Sequence, residues 1–216
     1  MSEVVAGSSR PLAVGVVIPA RDEEDSIVEC LDSVVRALDA APAGDSSWIV
    51  VVADGCSDQT ARLARRRLAG RGTVIECSVA SPGTARRLGA AEVLTHFARR
   101  RPSEVWMANT DADSRVGVDW ISHQLQLADY ATYEDGTHPH VHGANLGIRA
   151  DAYIDAGGWS DLTVAEDHCL WSRVRRRGWS TIASVGSVVF TSGRLCGRAM
   201  GGFADTLRRR LELRRA

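Results

Sequence analysis

Four short apolar runs limit what this chain can fold into. They are "AVGVVI" (residues 13–18), "WIVVVA" (48–53), "GTVIEC" (72–77) and "EVWMAN" (104–109), and they are rich in β-branched residues. Their apolar residues follow one another instead of alternating, which is the pattern of strands buried on both faces. Between them lie stretches with helical spacing. The first carries Ile27, Leu31, Val34, Val35 and Leu38, the second runs through Leu68, and the third extends from Thr84 to Arg100. Ser26 followed by Glu29 predicts a capping box at the first helix start. Alternating strands and helices predict an α/β fold, with a mostly parallel, Rossmann-like central sheet and helices on both faces.

In such sheets ligands bind beyond the carboxyl ends of the strands. Three of those ends carry polar clusters here: "RDEED" after the first, "DGCSD" after the second and "DAD" after the fourth. Asp111 and Asp113, two apart on an extended segment, would point the same way. Hard oxygen donors of this kind suit Mg2+ or Mn2+ completed by substrate phosphates; the alternative is a solvated loop with one aspartate capping a helix. Asp54 is placed to accept from a base or ribose edge, and Asp58 to cap the next helix. Arg86 and Arg87, in "SPGTARRLGA", are either solvated or a clamp for a diphosphate. Glu166 and Asp167 open a helix, where acids complement the dipole, but a catalytic base would look the same. His138, His140 and His142 alternate without an acidic partner and read as surface or cleft groups rather than a metal site.

Composition excludes more than it identifies. At 44% hydrophobic and 25% charged residues, the 216-residue chain has the balance of a soluble globular protein. Its net charge of −1 provides no general field for nucleic acid. Five scattered cysteines without a C-x-x-C predict free thiols, and no apolar run approaches the roughly 20 residues that span a bilayer. A cytoplasmic location is the expectation. The terminal "LRRRLELRR" predicts a basic amphipathic helix, suited to peripheral contact with the inner face of the membrane or to packing in a homodimer.

Six stretches fall in the order of a known family: "VVIPARDEEDSI", "VVVADGCSDQTARLA", "GTARRLGA", "NTDAD", "GANLGIRADAYIDAGGW" and "AEDHCLWSRVRRRG". Over about residues 13–195 the chain resembles the family 2 glycosyltransferases. The resemblance implies the GT-A fold, with a nucleotide-sugar-binding half over 13–115 and an acceptor-binding, catalytic half over 116–195. A tail over 1–12 and the basic helix over 196–216 would flank them. It also implies a nucleotide-sugar donor (a UDP-sugar is favoured), a divalent metal, a hydroxyl acceptor and inversion at the anomeric carbon. Carried over by position, Pro19, Ala20, Arg21 and Glu23 line the nucleotide, and Asp54 matches the second acid of the usual Asp-Asp pair, with Ala53 in place of the first. Arg86 matches a nucleotide- or diphosphate-facing arginine. Asp111 and Asp113 match the metal motif, with Asp111 also beside the donor. Asp167 matches the catalytic base and Glu166 an orienting or acceptor contact.

The chain departs from the family between "DAD" and "HGANLG", where a longer passage with another strand is usual. The expectation is a compact member or residues missing near Asp129–Tyr130. The rivals to a transferase are a sugar-phosphate nucleotidyltransferase and a silent nucleotide-sugar-binding protein. The first would want a Gly-rich basic loop where "IPARDEED" stands, and the second would not need Asp111, Asp113 and Asp167 together.

Overall fold

The computed structural model describes residues 12–42, 46–129, 143–184, 186, 188–194 and 208. The predicted histidine stretch and the basic C-terminal helix (Arg208 apart) lie outside them, as does Tyr130 at the suspected gap. The four apolar runs form β1 (Ala13–Ala20), β2 (Ser47–Asp54), β3 (Gly72–Cys77) and β4 (Val105–Asn109). They alternate with α1 (Ile27–Ala40), α2 (Thr60–Leu68) and α3 (Pro82–His96). All four strands are parallel, in the order β3-β2-β1-β4, and a fifth, β6 (Leu146–Arg149), joins β4 antiparallel. This is the expected α/β architecture.

The strand period of two divides the interior. Val14, Val16, Ile18, Ile49 and Val51 meet α1, α2 and α4 (Trp120–Asp129) on one face. Val17, Val50 and Val52 meet α3, α5 (Ala150–Asp155) and α6 (Glu166–Arg176) on the other. Helix α3 lies directly on β1 because its contact residues are small: a Cβ on Gly89 would run into Val17, and one on Gly15 into Val93.

The chain leaves β1 towards β2 on one side, while β4 pairs on the other. A crevice opens at the carboxyl ends where the order reverses, and there ligands bind in open α/β sheets. Glu23 and Asp113 are delivered to it from opposite sides of that switch.

Several local expectations change. The capping box does not form, because the Ser26 hydroxyl donates to the Glu23 carboxylate (3.0 Å) and Glu29 instead pairs with Arg115 (3.1 Å). Helix α3 begins two residues earlier than its apolar pattern, at a Ser81 cap that accepts from Thr84 N–H (3.2 Å), with Pro82 in the first turn. Three short strands escape the pattern. They are β5 (Ser114–Val116), its antiparallel partner β7 (Val189–Thr191), and β6, which lies in the stretch "GANLGIR". Runs of three or four residues carry too little periodicity to be recognised. Through β6 the second half of the chain extends the sheet of the first.

Candidate active site

The loops after β1 and β2 are laced to one another. Ser57 N–H donates to Asp22 (2.7 Å), Glu24 N–H to Asp58 (3.0 Å), Gln59 N–H to Glu24 (3.0 Å) and Glu23 N–H to the Thr60 hydroxyl (2.7 Å). Asp58 also accepts from Thr60 N–H (2.9 Å) at the start of α2, but from one position before the helix's N-cap, Gln59, so the capping role expected of it is not filled. Many of these acids therefore bind neighbouring backbone. Asp22, Cys56 and Asp58 bring ligand atoms within 4.8 Å of one another, but each already takes part in this lacing.

Asp54 is buried, and its Oδ1 accepts from Val79 N–H (2.7 Å) and Ala80 N–H (3.0 Å). One oxygen of the expected base or ribose contact thus holds the loop after β3, where Ala80 sits at φ 51°. Pro19 and Ala20 end β1 beside Val52 and Ala53, and exposed Arg21 reaches over Gly55.

Beyond β4 the chain turns at once, with Ser114 N–H bonded to the Asp111 carbonyl (3.0 Å). Asp111 and Asp113 therefore stand on a turn and not on an extended segment. Each carboxylate nevertheless meets a guanidinium: Asp111 pairs with Arg86 (2.6 Å) and Asp113 with Arg194 (3.2 Å). Burial, then the charge of Asp111, pushes the Asp113 carboxyl above its usual range, and Arg194 partly offsets this. The donor set fits a hard divalent cation. Two oxygen acids compete for positive charge, and the buried hydroxyls of Thr110 and Ser114 beside them have no hydrogen-bond partner.

Arg86 is 4% exposed and belongs to the interior. It holds Asp111 with Nη2 and Glu166 with Nη1, and its plane lies over Trp159 at 5.4 Å. Gly143 makes room for it, since a Cβ there would press on the guanidinium. The expected diphosphate arginine is thus the bridge between the proposed metal acid and the acid pair of α6. Burial raises the Glu166 carboxyl above its usual range, against the pull of Arg86. Asp167, less buried, accepts from Gly143 N–H (2.8 Å) and His168 N–H (2.7 Å). The loop before α6 is fixed on the start of α3 by Ser81 to Leu162 carbonyl (3.2 Å) and by Thr84 to Asp161.

Replacing Arg86 with Ala strands two carboxylates at once. We expect a stability loss of about 3 kcal/mol, read by urea denaturation. A loss below about 1 kcal/mol would show that the bridge is not structural.

Arg194 escaped the sequence reading altogether. It lies 171 positions from Glu23, which it holds with two hydrogen bonds of 2.8 and 2.5 Å. The β5–β7 pairing, continued by Ser192 N–H to the Asp113 carbonyl (3.2 Å), brings it there. Glu23, Arg194, Asp113, Asp111, Arg86, Glu166 and Asp167 therefore line one continuous polar seam at the switch point.

The profile of Glycosyl transferase family 2 matches residues 15–154. No curated protein matches the sequence. Among solved structures, the chain is similar to the mannosyltransferase PcManGT from Pyrobaculum calidifontis in complex with GDP-Man and Mn2+. The TM-score is 0.60 at 20% identity, covering 82% of this chain and 55% of that one. It is also similar to S. aureus TarS 1–349 in complex with UDP, with TM-score 0.56 and 13% identity over 76% of this chain and 55% of that one. The chain thus spans little more than half the length of these structures, and the likeness is one of fold, the GT-A fold. On the match over residues 15–154, the chain belongs to glycosyl transferase family 2.

Proposed function

We propose that the chain transfers a sugar, with inversion, from a nucleotide-diphosphate sugar to an acceptor hydroxyl, and that it requires Mn2+ or Mg2+. The observation that carries this reading is the Arg86 bridge, which ties Asp111 to the acid pair at the start of α6. Donor acids and the candidate base are then held in one rigid frame. Pro19, Ala20, Arg21, Glu23 and Asp54 line the nucleotide side, and Asp111 and Asp113 hold the cation. A divalent cation there would offset the charge that develops on a departing diphosphate. Asp167 takes the proton from the acceptor hydroxyl as its oxygen attacks the anomeric carbon from the opposite face. Glu166, committed to Arg86, orients the start of α6 and faces the acceptor.

PcManGT is in complex with GDP-Man and Mn2+, and TarS with UDP, so the fold accommodates either base and a divalent ion in relatives. For this chain a UDP-sugar remains the favoured donor. Among the described residues no helix is long and apolar enough to cross a membrane. Action in the cytoplasm, with peripheral membrane contact or a dimer through the basic C-terminal segment, stays part of the proposal.

Thermal shift across UDP-, GDP- and TDP-sugars, each with and without Mn2+, tests the donor. Ligand-linked stabilisation grows with the logarithm of concentration over Kd, so the true donor stands out. We expect the largest shift from a UDP-sugar with Mn2+. A larger shift from a GDP-sugar would overturn the base preference, and equal shifts without Mn2+ would overturn the metal requirement.

A further inference from the structure

We propose that Arg194 and a divalent cation are alternative partners of Asp113, so that Arg194 sets how tightly the acidic pair binds the cation. The inference rests on reading Asp111 and Asp113 as cation ligands. Arg194 lies three residues past β7 and grips Glu23 with both ends of its fork, Nη1 at 2.8 Å and Nη2 at 2.5 Å. The same Nη2 stands 3.2 Å from Asp113 Oδ2. The Glu23 and Asp113 side chains are only 7% and 15% exposed, so each charge requires a counter-charge close by.

The two contacts are unequal. Glu23 holds Arg194 through two short bonds, a planar bidentate match of the kind guanidinium favours. Asp113 holds it through one longer contact, so this is the one to yield. A guanidinium pressed against a carboxylate oxygen repels a cation seeking the same oxygen, and the repulsion is weakly screened where water is sparse. Arg194 can leave Asp113 without losing its own counter-charge, because Glu23 remains. The Ser192 bond to the Asp113 backbone keeps it near whichever partner Asp113 takes. Arg194 therefore tunes cation affinity without blocking the site.

Calorimetric titration of the full chain with Mn2+ alone, without nucleotide, tests this. We expect Arg194→Gln to bind Mn2+ about tenfold more tightly than the unaltered chain. Arg194→Lys retains a counter-charge for Glu23, which guards against misfolding, but lacks the fork to reach both acids. It should tighten binding by about threefold. Arg115→Gln removes the same charge two residues from Asp113, from a side chain paired with Glu29. It should change affinity by less than about twofold, because exposed charges are well screened. Equal tightening by Arg115→Gln would mean that only the general field matters, and would overturn the proposal. So would unchanged or weaker binding in both Arg194 variants while Asp113→Asn abolishes it, a result that leaves the cation reading intact. If Asp113→Asn binds Mn2+ like the unaltered chain, the cation reading itself fails.

Discussion

Asp113→Asn is expected to abolish sugar transfer while leaving the protein at least as stable as before. Asp113 is mostly buried beside Asp111, so the fold carries two like charges at close quarters with one guanidinium on each. Such an arrangement is unfavourable for folding unless a ligand uses it. A neutral amide of the same shape removes the repulsion, and Arg194 keeps its grip on Glu23. The amide presents no carboxylate to a divalent ion. Turnover should therefore fall to the detection limit, and Mn2+-dependent nucleotide binding should weaken with it. Activity assay and thermal denaturation on the same preparation separate the outcomes. Normal turnover would remove Asp113 from the site, whereas lost turnover with a large fall in Tm would make it a structural residue.

The frame of the fold was legible because its signals are local. Runs such as "WIVVVA" announce a doubly buried strand, and the reversal between β1 and β4 follows from packing helices on both faces of a parallel sheet. The acids at the strand ends were legible too, although Asp58 binds Thr60 N–H from one position before the Gln59 N-cap of α2 instead of capping it. Motif order placed Arg86, Asp111, Asp113, Glu166 and Asp167 in one site, and the structure joins them into one seam. Their partners were not legible. Nothing in "GTARRLGA" separates a solvated arginine from one that is 4% exposed, because the distinction lies in Gly143 and Trp159, far along the chain. Ser26 and Glu29 have the right spacing for a capping box, but Glu23 and Arg115 compete for them and win. Arg194 depends on a three-residue strand pair, below what periodicity can register.

The two arginines divide the seam between them. Arg86 is fixed, with Trp159 over its face and a carboxylate on each side. Arg194 is more exposed and has one strong partner and one weak. A rigid bridge behind Asp111 and an adjustable one beside Asp113 would suit the proposed function, in which the site holds its base in place yet admits and releases a charged donor complex.

Asp167→Asn should lower kcat by about two to four decades while donor binding survives, the signature of a lost general base. In the structure the Asp167 carboxylate accepts from the Gly143 and His168 backbone N–H groups, one on each oxygen. An amide retains one acceptor oxygen and turns an NH2 towards the other donor, so one of the two bonds is lost. That costs on the order of 1 kcal/mol of local stability, too little to unfold the start of α6, which Glu166 still anchors through Arg86. Asp111 and Asp113, the proposed cation ligands, are untouched, so nucleotide-diphosphate affinity with Mn2+ should match the unaltered chain. Slow donor hydrolysis, in which water replaces the acceptor, should fall as well, because water also needs a base. Thermal shift with donor gives the binding arm and product formation the catalytic one. If donor affinity falls in step with kcat, Asp167 shapes the nucleotide site instead; if neither changes, another group takes the proton.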